Sequence, residues 1–164
     1  MHYWIVSALV VILDQWSKHF MTGLLPLCVR GRCESIEILP VFKLTVLHNE
    51  GAAFSFLDDA GGWQRWFLVA VSAGVSVFIA GWLWRIFREQ KLLSWALCLI
   101  LGGAIGNLID RATQGYVVDF LVFYYDVYYF PAFNVADTAI STGAGLLILD
   151  MIVQYRKDRL LANG

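Results

Sequence analysis

Acidic and amide side chains recur within stretches that are otherwise apolar. Asp137 follows Asn134 by three residues in "FNVADTAISTGAGLLIL", and Asn107 and Asp110 repeat this spacing in "GNLID". Residues three apart share one face of a helix, so each pair presents an amide and a carboxylate together. Asp119 follows in an aromatic stretch. Because ionised side chains inside a bilayer are costly, all of these positions are candidates for chemistry.

Asp119 and Asp137 have no basic residue close by in the sequence to neutralise them. Two carboxylates that converge without a cation share one proton, because the second ionisation works against the first charge. Such a pair supplies a base that activates water and an acid that protonates a carbonyl. A proton relay and a purely structural role are the alternatives at these two positions.

Two further charged pairs are interpreted as structural. Asp14 and Lys18 lie four residues apart, and Asp110 and Arg111 are adjacent. We expect each to form an ion pair or a hydrogen-bonded anchor between helices.

The composition indicates a membrane protein. Of the 164 residues, 59% are hydrophobic and only 15% are charged, against roughly 25% charged in an ordinary soluble domain. A bilayer-spanning helix needs roughly 20 mostly apolar residues. We therefore predict one all-α membrane domain over residues 1–164, with four transmembrane helices. These spans cover about residues 3–22, 63–84, 92–110 and 132–154.

Two clusters of basic residues predict the orientation of the spans. They are Arg85, Arg88 and Lys91 after the second span, and Arg156, Lys157 and Arg159 after the fourth. Basic residues favour the cytoplasmic side of a membrane. Both termini are then cytoplasmic, and segments 24–62 and 111–131 face outward. Asp137 is expected ~9 Å below the outer end of its helix, and Asp150 ~20 Å deeper, near the cytoplasmic interface.

The two outward segments differ in composition from the helices. "SIEILPVFKLTVLHNEGAAFSFL" is rich in β-branched and aromatic residues, so we expect a small outward-facing β-cradle over about residues 26–60. "GYVVDFLVFYYDVYYFP" is strongly aromatic and is expected, over about residues 112–131, as an interfacial helix or loop. Cys28 and Cys33 form a disulfide only if their loop faces an oxidising compartment, which the sequence leaves open.

Other kinds of site find little support in the sequence. The three histidines, His2, His19 and His48, form no metal-binding motif, so we expect no metal and no cofactor. The basic residues form no extended patch, which argues against a nucleic-acid partner.

Five short blocks carry a resemblance to a known family. They are "DQWSK" at 14–18, "NEGAAFS" at 49–55, "GGAIGNLIDR" at 102–111, "VVDF" at 117–120 and "FNVAD" at 133–137. In this order, on a chain with four predicted spans, they resemble the lipoprotein signal peptidases, which are the type II signal peptidases of bacterial membranes.

The resemblance implies an aspartic endopeptidase of the bacterial cytoplasmic membrane, acting near the outer leaflet. It would remove signal peptides from prolipoproteins by cutting immediately before a cysteine that carries a diacylglyceryl group. Its partners would be these substrates and membrane lipid, and the protein would be a monomer. The implied fold is a four-helix membrane bundle with an outward β-cradle and an outer periplasmic helix.

By this resemblance Asp119 and Asp137 are the catalytic pair. Asn107, Arg111 and Asn134 hold substrate backbone or orient the pair. The other supporting or substrate-contacting positions are Asp14, Lys18, Asn49, Gly51 and Asp110. Small residues such as Gly102, Gly103, Ala104 and Gly106 are expected to keep a groove open for the substrate helix. The spacing of Gly102 and Gly106 also suits close packing between helices.

Two other functions are compatible with intramembrane carboxylates. A small proton-coupled transporter requires them near the midplane, with access from both sides. A membrane scaffold explains the small residues but not two unneutralised aspartates. The long outward segments and the outward clustering of polar residues favour the peptidase.

Overall fold

Four helices and four strands make up the part of the chain that the computed structural model describes, residues 2–29, 31–51 and 63–162. The helices are α1 (His2–Leu24), α2 (Trp63–Ile86), α3 (Lys91–Thr113) and α4 (Val135–Ala162). The strands are β1 (Ile36–Leu39), β2 (Phe42–Asn49), β3 (Val117–Tyr125) and β4 (Tyr128–Tyr129).

Three helices in the described part of the chain are long and apolar enough to cross a bilayer: Arg65–Ile86, Lys91–Thr113 and Val135–Ala162. α1 has 23 residues and exposes apolar side chains such as Ile12 and Trp16, while Asp14 and Lys18 are buried. Burial of the charged side chains and exposure of the apolar ones is the arrangement expected where the helix surface meets lipid.

α3 is the central helix of the bundle, and α1, α2 and α4 each pack against it. A Cβ atom at Gly102 would lie 2.7 Å from the Val10 side chain of α1. One at Gly103 would overlap the Ala136 carbonyl oxygen of α4, and one at Gly106 would lie 2.6 Å from an oxygen of Asp14. The expectation that these glycines keep a substrate groove open is therefore wrong. They let α1 and α4 approach the α3 backbone, as the alternative interpretation predicted.

The helix directions place the chain ends and the sheet at opposite ends of the bundle. Ser7 bonds to the Cys98 carbonyl and Lys18 to Asp110, so α1 runs parallel to α3. α4 runs antiparallel to α3, because Gly103 lies beside the start of α4 and Gly143 lies beside Ala96. The start of α1, the α2–α3 connection and the end of α4 thus share one end. Both basic clusters lie at that end.

The sheet is antiparallel throughout, in the order β1-β2-β3-β4. β1 and β2 lie within the predicted cradle, whose residues beyond Gly51 lie outside the described part of the chain. β3 and β4 come from the aromatic segment at 112–131, so the prediction of an interfacial helix or loop there is wrong. In the described ranges 2–29, 31–51 and 63–162 every helix belongs to the bundle, and none is a separate periplasmic helix.

The aromatic segment forms a strand because its side chains bury on the bundle. Val118 and Phe120 pack with Met21 of α1 and with Leu25, which follows that helix, and Val122 is also buried. β-branched and aromatic residues suit a pleated surface of this kind. In the register of β2 with β3, Leu47 pairs with Asp119.

Cys28 and Cys33 are joined by a disulfide, which resolves the alternative that the sequence left open. The Cys28 amide donates to the Val46 carbonyl at 2.8 Å, so the closed turn is attached to β2. Cys98 is a free, buried cysteine.

We expect the double substitution Cys28→Ser/Cys33→Ser to lower the free energy of unfolding by about 2 kcal/mol, because the disulfide restricts the unfolded chain and this loop is short. The measurement is the midpoint of thermal unfolding in detergent, with and without dithiothreitol. Reductant should lower the midpoint of the natural chain and leave the double variant unchanged. An unchanged midpoint of the natural chain would contradict the expectation.

Candidate active site

The start of α4 is fixed by a reciprocal pair of hydrogen bonds between Asn134 and Asp137. The Asp137 amide donates to Asn134 Oδ1 at 2.9 Å, and the Asn134 amide donates to Asp137 Oδ2 at 3.2 Å. This is a capping box, which satisfies amides that the first helical turn leaves without partners. Asp137 therefore lies in the first turn of α4, and the predicted depth of ~9 Å below the helix start is wrong. The helix begins at Val135, three residues after the predicted boundary.

The Asn134 side chain also orients Asp119. Its Nδ2 donates to Asp119 Oδ1 at 2.7 Å, and the Asn49 Nδ2 of β2 donates to Asp119 Oδ2 at 3.1 Å. Asn134 and Asp119 are both buried. Because Asn134 uses its oxygen for the capping box and its nitrogen for Asp119, one amide links both carboxylates. The sequence pattern predicted the shared face of Asn134 and Asp137, but not this link to the strand.

Asn107 of α3 supports Asp137 from the other side. Its Nδ2 donates to Asp137 Oδ1 at 2.8 Å. Its Oδ1 accepts from Lys18 Nζ at 3.0 Å and from Asn134 Nδ2 at 3.2 Å. Asn107 therefore connects the buried Lys18 to the carboxylate of Asp137 by two hydrogen bonds.

Lys18 is the centre of a buried ionic cluster. Its Nζ lies 2.7 Å from Asp14 Oδ2 and 2.9 Å from Asp110 Oδ2. The prediction of an ion pair between Asp14 and Lys18 is confirmed. Asp110 and Arg111 form no ion pair with each other, since adjacent helical residues point in different directions. Asp110 faces Lys18 and accepts a hydrogen bond from Gln15 of α1, which is the hydrogen-bonded anchor that the sequence offered as the alternative.

The cluster joins three helices and the sheet. Asp14 accepts from the Ala136 amide of α4 at 2.9 Å, and Asp110 accepts from the Val118 amide of β3 at 3.2 Å. Gln15, which sequence analysis missed, donates to Asp110 Oδ1 at 2.8 Å. Gln15 lies within the "DQWSK" block, so its place in that block is the signal that could have identified it.

Arg111 reaches the loop that follows β2. Its guanidinium donates to the Gly51 carbonyl at 3.1 Å, and the Gly51 amide donates to Asn49 Oδ1 at 3.2 Å. Arg111 Nε is buried and has no hydrogen-bond partner within the described part of the chain. Arg65 of α2, also missed from the sequence, donates to the carbonyls of Arg111 and Ala112 and so caps the end of α3.

A cavity of about 660 Å³ brings these elements together. Its polar lining includes Asn49, Asn107, Arg111, Asp119 and Asp137. Its apolar lining includes Leu47, Val117, Phe130, Pro131, Phe133 and Ile140. A largely apolar pocket with a few convergent polar groups is the usual form of a binding site. The cavity lies at the sheet end of the bundle, opposite the basic clusters.

The surroundings of Asp119 change the pKa of its carboxyl group. Burial, followed by the negative charge of Asp137, raises the pKa of Asp119 to about 7. Hydrogen bonds from Asn49 and Asn134 and the charge of Lys18 act in the opposite direction. No basic residue is close to Asp119 in the sequence, but the fold brings Lys18 near enough to lower its pKa, although burial and Asp137 dominate.

Comparison with known proteins identifies the family. A family model described as signal peptidase (SPase) II matches residues 6–153. The chain belongs to the signal peptidase II family. The resemblance seen in the five sequence blocks is thereby confirmed, and the protein is a peptidase with membrane-spanning helices.

Relatives of this peptidase carry the name lipoprotein signal peptidase. That of Alteromonas mediterranea is 55% identical over 146 residues, which cover 89% of this chain and 78% of the relative. That of Shewanella pealeana is 50% identical over 157 residues, covering 96% and 89%. That of Acinetobacter baumannii is 48% identical over 145 residues, covering 88% and 80%.

Two solved structures, each described as a bacterial membrane enzyme, share the fold of this peptidase. The first has a TM-score of 0.79 and covers 94% of this chain and 89% of its own. The second has a TM-score of 0.72 and covers 92% of both chains. Each is 26% identical to this chain.

The position of the carboxylates disfavours the transporter considered from the sequence. A transporter binds protons or ions near the midplane of its bundle. Here Asp137 lies in the first turn of α4 and Asp119 lies in the sheet. Asp150, the deeper carboxylate, is buried 13 residues further along α4 and is not part of the cavity lining.

Proposed function

We propose that this peptidase removes signal peptides from bacterial prolipoproteins, and that it cuts immediately before a diacylglyceryl-modified cysteine. The observation that carries the proposal is one cavity lined by the buried Asp119 and the half-buried Asp137, which both bond to the side-chain amide of Asn134. The names of the relatives supply the substrate class. Asp119 and Asp137 are the catalytic pair, and they act as an aspartic dyad.

The dyad works with one carboxylate ionised and one protonated. The ionised carboxylate takes a proton from water as the water oxygen attacks the scissile carbonyl carbon. The protonated carboxyl donates its proton to the carbonyl oxygen. When the tetrahedral intermediate collapses, the carbon–nitrogen bond breaks, and the carboxyl that took the water proton gives it to the leaving amine of the cysteine. One hydroxyl of the intermediate returns its proton to the other carboxylate as the new carboxyl group forms. The dyad then holds one proton again. Asn134 and Asn107 keep the two carboxylates in fixed orientation for these transfers.

The remaining polar residues have supporting roles. Arg111 lines the cavity and carries a buried Nε without a partner in the described ranges, so it is suited to bind a substrate carbonyl. Asn49 holds Asp119 and also accepts from the Gly51 amide. The buried cluster of Asp14, Lys18 and Asp110 holds the helices that carry the dyad.

We place the enzyme in the bacterial cytoplasmic membrane as a monomer with four spans. α1 runs beside α3 along its length, which supports a fourth crossing. The basic clusters at the end opposite the site support cytoplasmic termini. The Cys28–Cys33 disulfide lies in the segment joined to the sheet, and disulfides persist in oxidising compartments. The active site then lies near the outer leaflet.

The experiment that tests this function uses the purified full-length protein in detergent and a synthetic prolipoprotein. The substrate is supplied with and without its diacylglyceryl group, and the released peptide is identified by mass. The proposal expects cleavage of the lipidated form alone, immediately before its cysteine. Cleavage elsewhere, or no cleavage of either form by a folded sample, would overturn it.

The rate of cleavage is expected to have an alkaline limb near pH 7. Asp119 has a pKa of about 7, raised by burial and by the charge of Asp137, so the pair keeps its shared proton below that pH and loses it above. A dyad without its proton has no acid, and the rate should fall towards tenfold per pH unit. The measurement is kcat/KM for the lipidated substrate from pH 5 to 9. A rate that rises steadily through this range would contradict the assignment.

Folding stability provides an independent check of the same pKa. An aspartate ordinarily titrates near 3.9 when unfolded, so the folded state binds the Asp119 proton more tightly. Proton binding by Asp119 therefore stabilises the folded state. This contribution is complete below about pH 4 and is lost as the pH rises through about 7. Asp119→Asn cannot ionise and should weaken this dependence of the unfolding midpoint on pH. An identical dependence in the variant would show that the group titrating is not Asp119.

A further inference from the structure

α4 continues well past the last point at which it packs on the bundle. Asp150 is its last buried residue, and the helix ends at Ala162. The intervening segment extends about 18 Å at 1.5 Å per residue. None of residues 151–162 is buried. The segment continues a helix that is already formed, and its exposed side chains are available for contacts outside the described part of the chain.

One side of this segment forms a lined surface, which we name the α4 tail face. It is an open surface that consists of Met151, Ile152, Tyr155, Arg156, Arg159 and Leu160. These positions recur at a spacing of four residues, so they lie on a single side of the helix. Lys157, between the two arginines in sequence, is not part of this face.

The chemistry of the α4 tail face changes along the helix axis. Met151 and Ile152, next to the bundle, are exposed apolar side chains. Arg156 and Arg159 follow about one and two turns further out. The Arg159 guanidinium lies over the Tyr155 ring, 5.8 Å from its centroid. An apolar stretch next to the bundle is thus followed by cations further out, which is the order in which acyl chains and headgroups meet the end of a membrane helix.

The surrounding charge selects an anionic partner. Residues 151–162 contain three cations and one anion, Asp158, which gives a net charge of +2. The α2–α3 connection at the same end adds three cations, Arg85, Arg88 and Lys91, against Glu89, which again gives +2. Guanidinium groups bind phosphate oxygens well, and basic segments beside membrane helices attract anionic lipids.

We propose that the α4 tail face binds an anionic phospholipid of the adjacent leaflet. An acyl chain lies along Met151 and Ile152, and the headgroup phosphate lies against Arg156 and Arg159. This site is at the far end of the bundle from the dyad cavity and does not depend on the reaction proposed there. The lipid site is specific because the two arginines are placed on one face of the helix. It differs in this from a general attraction of anionic lipid by all the cations at that end of the bundle.

The test compares Arg159→Gln with Lys157→Gln in the full-length protein. Each variant removes one positive charge from the same part of the helix, but only Arg159 belongs to the α4 tail face. Native mass spectrometry from a mild detergent measures binding of phosphatidylglycerol and, separately, of phosphatidylcholine. We expect Arg159→Gln to weaken phosphatidylglycerol binding at least about tenfold, the effect of losing one charge-assisted hydrogen bond. Lys157→Gln should stay within about twofold of the natural chain, and phosphatidylcholine should bind about tenfold more weakly than phosphatidylglycerol.

Several results would overturn the inference. Equal weakening by both variants would show that only net charge matters. Equal binding of the two lipids would show an apolar contact without headgroup selection. A dimer that forms through this face and excludes lipid would identify a second copy as the occupant. Cleavage of the lipidated substrate is measured on the same samples, so failure of lipid binding is distinguished from failure of the proposed reaction.

Discussion

Asp119→Asn and Asp137→Asn are each expected to reduce the cleavage of a lipidated prolipoprotein by at least ~10³-fold, within the range for loss of a general acid or base. Asn keeps the size of the side chain, and its single oxygen can still accept from one of the two neighbouring amides, but it can neither hold nor release the shared proton. The measurement is kcat/KM with a mass-resolved product. The midpoint of thermal unfolding in the same detergent shows that each variant is folded.

The double variant Asp119→Asn/Asp137→Asn separates a dyad from two independent roles. Groups that act as one unit are not additive, so the double variant should be about as inactive as either single one. Losses that multiply would indicate separate contributions and would contradict the dyad.

The matched control is Asp150→Asn, which alters a buried aspartate of α4 away from the cavity. It should cleave at nearly the rate of the natural chain. Normal cleavage by either Asp119→Asn or Asp137→Asn would remove that residue from the mechanism.

Local patterns predicted the parts of the site that local contacts create. The three-residue spacing of Asn134 and Asp137 identified a shared face, and the capping box is a contact of that range. The four-residue spacing of Asp14 and Lys18 likewise identified a true ion pair. The three apolar spans were predictable because hydropathy is a property of a continuous segment.

Contacts between distant segments were beyond the sequence. Asp110 bonds to Lys18, 92 residues away, and not to its neighbour Arg111, because adjacent helical residues diverge. The glycines of α3 illustrate the same limit, since small residues suit both an open groove and a close helix contact. Only the positions of α1 and α4 decide between these possibilities.

The aromatic segment was assigned to the wrong kind of structure for a related reason. Its composition suits a membrane interface and a strand equally. Pairing of Leu47 with Asp119 places it in the sheet, and burial of Phe120 against α1 holds it there. The same pairing brings Asp119 next to the start of α4. The wrongly predicted element is therefore β3, the strand that positions one of the two aspartates.

The second large effect is expected from Lys18→Met, which should lower the free energy of unfolding by about 3–5 kcal/mol, as for other broken buried ion pairs. Lys18 is 3% exposed, and its Nζ contacts both Asp14 and Asp110. Met fills similar space but leaves two buried carboxylates beside each other without a cation. The measurement is the unfolding midpoint in detergent, together with the yield of folded protein. Lys157→Met, at an exposed position, is the matched control and should change stability by less than about 0.5 kcal/mol.

Addition of Asp14→Asn to Lys18→Met distinguishes the electrostatic cause from a packing defect. The natural cluster of one lysine and two aspartates carries a formal charge of −1, Lys18→Met makes it −2, and the second change returns it to −1. Asn at position 14 can still accept the Ala136 amide through its oxygen. The double variant should therefore recover part of the lost stability. A double variant less stable than Lys18→Met would attribute the loss to packing, whereas natural stability of Lys18→Met would show that the buried pair contributes little.

Because Asn107 accepts from Lys18 and donates to Asp137, we also expect the recovered double variant to cleave slowly, as the lysine that positions this amide is still absent.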